Sequence, residues 1–65
     1  YVAPAAGLAF LVGKEGVALT PLRPSGAAEI DGLRVDVVTE GEFVAVGTGV
    51  RVVKVEGTRV VVKAI

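Results

Sequence analysis

VRVVKVEGTRVVVKAI, residues 50–65, decides the fold. Two valine-rich runs meet at Glu56-Gly57-Thr58, a turn-forming triplet between stretches that favour extended backbone. Within Val50–Val55 the side chains alternate between apolar and charged until Val52 and Val53 stand next to each other. A slip of one place sends every later side chain to the other face of a sheet. A β-bulge, or a strand bent sharply enough to serve two sheets, reconciles the pattern. Either device belongs to a curved sheet.

The preceding segments read the same way. In GAAEIDGLRVDVV the pair Asp31-Gly32 is the preferred centre of a two-residue type I′ hairpin turn, where both residues need positive φ. Beyond it Leu33, Val35 and Val37 face inward and Arg34 and Asp36 outward. EGVALTPL reads as the first strand, with Val17 and Leu19 on one face and Ala18 and Thr20 on the other. Pro21 and Pro24 cannot donate to a ladder, so this strand ends near Leu22 or runs along an edge. TEGEFVAVGTG, residues 39–49, is broken by glycines and has no helical apolar period. Five short strands without a helix predict an all-β fold, a small closed or nearly closed barrel, because closure removes edges that so much valine could not leave bare. A five-stranded OB-type barrel and an SH3-like barrel are the two architectures of this size.

Composition narrows the chemistry. The chain has 65 residues, enough for one small domain with a thin core. It has no cysteine and no histidine, so disulfides, thiolate metal sites and imidazole catalysis are excluded. Seven Lys+Arg balance seven Asp+Glu, which argues against a nucleic-acid binder, whose affinity comes largely from a basic excess. No stretch approaches the ~20 apolar residues of a membrane-spanning helix. YVAPAAGLAFLV, residues 1–12, is apolar but interrupted by Pro4 and Gly7, and reads as a linker or flanking arm ahead of a barrel domain at 13–65. With Tyr1 in place of an initiator methionine, we expect a piece of a longer polypeptide.

LVGKEGVALTPLRPSG (Leu11–Gly26), IDGLRVDVVTEGEFV (Ile30–Val44) and VKVEGTRVVVK (Val53–Lys63) together resemble the C-terminal soluble domain of NfeD-like proteins, the stomatin-operon partner proteins. The order G-x-A-x-T-x-L-R-P-x-G, G-x-R-x-D-V and E-G-x-F carries the resemblance, which covers all but about the first ten residues. It implies an OB-fold barrel lacking the usual helix between strands three and four. It further implies a parent anchored in a membrane by helices upstream, with this domain expected on the cytoplasmic side, and a stomatin- or flotillin-type partner. Some longer members carry a Clp-like serine protease domain ahead of the membrane region, and nothing in these residues matches it.

The candidate sites can be weighed one by one. LRPSG, residues 22–26, holds the only serine, but no histidine exists to activate Ser25, and Lys14, Lys54 and Lys63 stand in solvent-facing contexts. Nor is it a phosphate cradle, since its glycine leads into a strand and not into a helix. It reads as a corner. Arg23 either clamps a carboxylate such as Asp36 or Glu40, or contacts a partner or lipid headgroups. Glu40 and Glu42 read as a solvated loop, without the surrounding oxygen ligands a metal would need. Arg34, Arg51, Lys54, Arg59 and Lys63 form a basic set on the outer faces, where pairing with Asp36 and Glu56 is expected. The aromatics Tyr1, Phe10 and Phe43 lie outside those strands, so the stacking platform of a single-stranded nucleic-acid binder is missing. Phe43 is expected to plug one end of the barrel, leaving Arg23, Val44 and Val46 as the partner-contact residues. No residue is assigned to catalysis, a cofactor or a metal. The reading is a noncatalytic interaction module, with single-stranded nucleic-acid binding as the alternative.

Overall fold

A computed structural model describes residues 10–65. Five strands, β1 (Glu15–Ala18), β2 (Ser25–Ile30), β3 (Leu33–Val38), β4 (Gly49–Glu56) and β5 (Arg59–Ala64), close into a barrel in the order β1-β2-β3-β5-β4. Closure comes from β1, which pairs antiparallel with β2 on one side and β4 on the other. β3 and β5 run parallel, joined at Val37↔Val60 and Val38↔Val61. This is the OB-type topology, and residues 39–48, between β3 and β4, hold no helix.

Local chemistry explains both tight turns. At the β2–β3 hairpin Asp31 and Gly32 take φ of 52° and 80°, the pair of positive values that a type I′ turn demands. The β4–β5 turn passes through Gly57, at φ 62°. The parity slip at Val52–Val53 is a bulge: the register breaks between Val52 and Lys54, and Val53 is turned outward. Val52 before it and Val55 after it can then both face the core, which a regular strand would forbid.

β1 is shorter than the sequence led us to expect. It stops at Ala18 instead of running to Leu22, and the N–H groups of Leu19 and Thr20 both donate to the Ala27 carbonyl, at 2.9 and 3.3 Å. Its inward side chain is the small Ala18, while Val17 and Leu19 face solvent. Space, more than φ, dictates two glycines. A Cβ at Gly16 would collide with the Glu29 carbonyl oxygen and come within 2.9 Å of Ile30 Cδ1. A Cβ at Gly26 would collide with Thr20 Oγ1 and reach 2.7 Å from the Pro21 oxygen. The φ of Gly26 is not positive, so close packing and not backbone freedom requires glycine there.

Ile30, Val35, Val37, Val50, Val52, Val60 and Val62 line the interior. Val61 points the other way yet is also buried, beside Val38, which accounts for three consecutive valines in β5. Leu22 and Val44 fill one end. At the other, the chain enters through a turn in which Lys14 N–H donates to the Leu11 carbonyl at 2.8 Å and Gly13 N–H to Val52 at 2.8 Å. Leu11, within the 1–12 stretch expected as a flanking arm, is completely buried and belongs to the core; residues 1–9 of that stretch lie outside the described residues.

Candidate functional site

The two ends of the barrel differ. The Asp31–Gly32 and Gly57–Thr58 turns mark the hairpin end. The other end, the mouth, gathers the β1–β2 connection (residues 19–24), the β3–β4 connection (residues 39–48) and the C-terminal Ile65. Its two connections are stitched together by backbone bonds. Leu22 N–H donates to Val44 C=O at 2.8 Å and Val44 N–H returns to Leu22 C=O at 3.1 Å, so both side chains drop into the core. Thr39 N–H donates to Pro24 C=O at 2.8 Å, and Gly47 N–H to Ala18 C=O at 2.8 Å. Thr39, the buried polar residue of the described chain, is satisfied locally: its hydroxyl donates to Glu42 C=O at 2.6 Å and accepts from Gly41 N–H at 3.3 Å. Residues 40–47, which belong to no strand, are thereby held in a defined shape.

The structure redistributes the expected contact residues. Arg23 and Val46 are exposed, Val46 at 60%. Val44 is not: at 2% exposure it is a core residue, drawn inward by its bridge to Leu22. Phe43 does not plug the barrel. It stands 61% exposed on the outside of the mouth, since neighbours in an extended segment point to opposite sides and Val44 takes the inner place. Over its ring lies Arg23, whose guanidinium carbon is 5.4 Å from the centroid. Arg23 thus meets an aromatic face and not Asp36 or Glu40, a contact of a cation with the ring's negative face. Residues 23 and 43 carry no local spacing signal; only the Leu22–Val44 bridge brings them together.

The remaining candidates stay apart. Ser25 opens β2 with an exposed side chain, after a cis Arg23–Pro24 peptide bond. Glu40 and Glu42 are exposed on the mouth, and no cluster of metal-ligating side chains occurs among the described residues. The basic set is partly neutralised, by Glu56 as anticipated and by Glu15 in place of Asp36. Arg51 makes a two-nitrogen contact with Glu15 Oε2, at 2.6 and 3.1 Å, and Lys54 lies 3.7 Å from Glu56 on its own strand.

The described residues thus form a small closed five-stranded β-barrel whose ordered rim exposes apolar side chains. The family model described as the NfeD-like C-terminal, partner-binding domain matches residues 9–63, and the chain belongs to that family. It is 54% identical over 55 residues to the membrane protein NfeD1b of Bacillus subtilis (strain 168), covering 85% of this chain but 13% of that much longer protein. It also resembles two solved structures. One is the C-terminal domain of stomatin operon partner protein 1510-C from Pyrococcus horikoshii, with TM-score 0.81, 23% identity, and 86% and 89% of the two chains covered. The other is the soluble domain of a membrane protein implicated in regulation of membrane protease activity from Corynebacterium glutamicum, with TM-score 0.76, 26% identity, and 85% and 92% covered.

Proposed function

We propose that this domain is a noncatalytic docking module of a membrane-anchored protein, working with a stomatin- or flotillin-type partner. The observation that carries the reading is the mouth itself. Phe43 and Val46 expose their side chains on a connection that backbone bonds to Leu22, Pro24 and Ala18 hold in place. An apolar surface that is already ordered loses little conformational freedom on binding. Arg23, stacked on Phe43, and Val46 are the contact residues we assign. The partner-binding description of the family and the membrane-protein relative support the assignment. Catalysis has no place in it, because the chain has neither histidine nor cysteine and its one serine stands exposed without a base. The anchor is assigned to a segment upstream, with the domain on the cytoplasmic side. Co-purification tests the reading: the full-length protein extracted in detergent should bring down the stomatin- or flotillin-type protein encoded beside it. Failure of the two to associate from solubilised membranes overturns it.

A further inference from the structure

We propose that the mouth selects a partner segment carrying bulky apolar side chains next to lysine or arginine; the inference rests on the docking reading above and adds the surface and the chemistry it recognises. Among the exposed large hydrophobic residues, Leu19, Phe43, Val46 and Ile65 all belong to this end, at 42%, 61%, 60% and 64% exposure. Backbone bonds tie their carriers together: Gly47 to Ala18, Leu22 to Val44, and Ile65 N–H to Gly49 C=O at 3.0 Å. The rim's charges are Arg23, Glu40 and Glu42. Arg23 lies over the Phe43 ring and keeps its charge, so the rim sets one cation against two carboxylates. Neither glutamate has a cation within ion-pairing distance among the described residues, whereas Glu15 and Glu56 elsewhere on the barrel do. An aromatic anchor beside unpaired carboxylates is complementary to an apolar segment with a basic flank.

The same charges argue against the other occupants. A second copy docked mouth to mouth would set Glu40 and Glu42 against their own kind, and an anionic bilayer surface would repel them. Direction agrees as well. The described chain enters the barrel beside Val52, at the end opposite the mouth, so residues 10–14 leave the mouth clear.

The test uses the full-length protein co-expressed with the stomatin- or flotillin-type protein, in four forms: wild type, Phe43→Ser with Val46→Asp, Glu40→Lys with Glu42→Lys, and Arg34→Glu at the hairpin end. The Phe43/Val46 form should recover about tenfold less partner. The Glu40/Glu42 form should lose several-fold at low salt and little at high salt. Arg34→Glu should match wild type. Unchanged melting of each purified domain keeps misfolding apart from lost contact, since every substituted side chain is exposed. Wild-type recovery that survives both mouth variants overturns the inference while leaving the docking reading standing. No recovery by wild type ends both. A mouth-dependent dimer of the purified domain, or mouth-dependent capture on phosphatidylglycerol vesicles, overturns it in favour of a second copy or lipid.

Discussion

Replacing Gly16 by alanine should come close to unfolding this protein, although the change adds a single carbon. On an unstrained strand, glycine to alanine gains about 0.4–1 kcal/mol by restricting the unfolded chain. At Gly16 the new Cβ points into the barrel, onto the Glu29 carbonyl, with the Glu29 carbonyl carbon at 2.8 Å and Ile30 Cδ1 at 2.9 Å. Backbone atoms cannot rotate away, so β1 must retreat from β2 and give up the Gly16↔Ile30 pairing. Overpacking costs about 1–3 kcal/mol where side chains can adjust, and a collision with backbone belongs at or above the top of that range. A domain of 65 residues has roughly 3–10 kcal/mol of stability in all. At about 4–8 °C per kcal/mol, a loss of about 3 kcal/mol lowers the melting temperature by roughly 12–24 °C. Gly49→Ala is the matched control. Its Cβ would sit 3.5 Å from Ile65 Cδ1, an ordinary contact, so it should hold or gain stability. Urea and thermal unfolding of both variants, followed by circular dichroism, give the difference directly. If Gly16→Ala unfolds within 1 kcal/mol of Gly49→Ala, the close approach of β1 and β2 is wrong.

The two valines of the β3–β4 connection should behave in opposite ways. Val44→Ala should cost about 2–3 kcal/mol, because it empties space beside Leu22, whereas Val46→Ala should stay within about 0.5 kcal/mol; urea midpoints decide. A double-mutant cycle of Arg23→Ala and Phe43→Ala should return a coupling of about 0.5–1 kcal/mol, the range of an exposed cation–ring contact, and a zero coupling would remove that contact. Fluorescence titration with oligonucleotides in low salt should show no salt-sensitive affinity, since Arg51 and Lys54 already face Glu15 and Glu56 and no aromatic lies on strands β3–β5.

Much of the barrel was legible because its signals are local. Asp31-Gly32 specifies a turn through the backbone freedom of two residues, and the Val52–Val53 slip announces a bulge because strand parity is strict. Closure was expected from strand number and exposed-edge arguments, and the OB type over the SH3-like one from the family resemblance, while the order β1-β2-β3-β5-β4 is read from the structure. The mouth was harder to read. Phe43 and Val44 sit in a segment with no ladder to set its parity, so which of the two turns inward is decided by a single bridge to Leu22. Size pointed to the phenylalanine, whereas the bridge chose the valine. For Arg23 the sequence offered carboxylates or an outside partner and not the Phe43 ring, because charge is visible in a sequence and a ring twenty positions away is not. Leu11 looked like part of an apolar arm, yet the hydrogen bond from Gly13 to Val52 draws it into the core.

Amide hydrogen exchange of the domain, free and in complex with the proposed stomatin- or flotillin-type partner, probes the docking claim most directly. Slower exchange should concentrate at Leu19–Arg23, at residues 40–47 and at Ile65, with the turns at Asp31–Gly32 and Gly57–Thr58 unaffected. Protection centred on those two turns, or spread over the charged outer faces of β3 and β5, would contradict it.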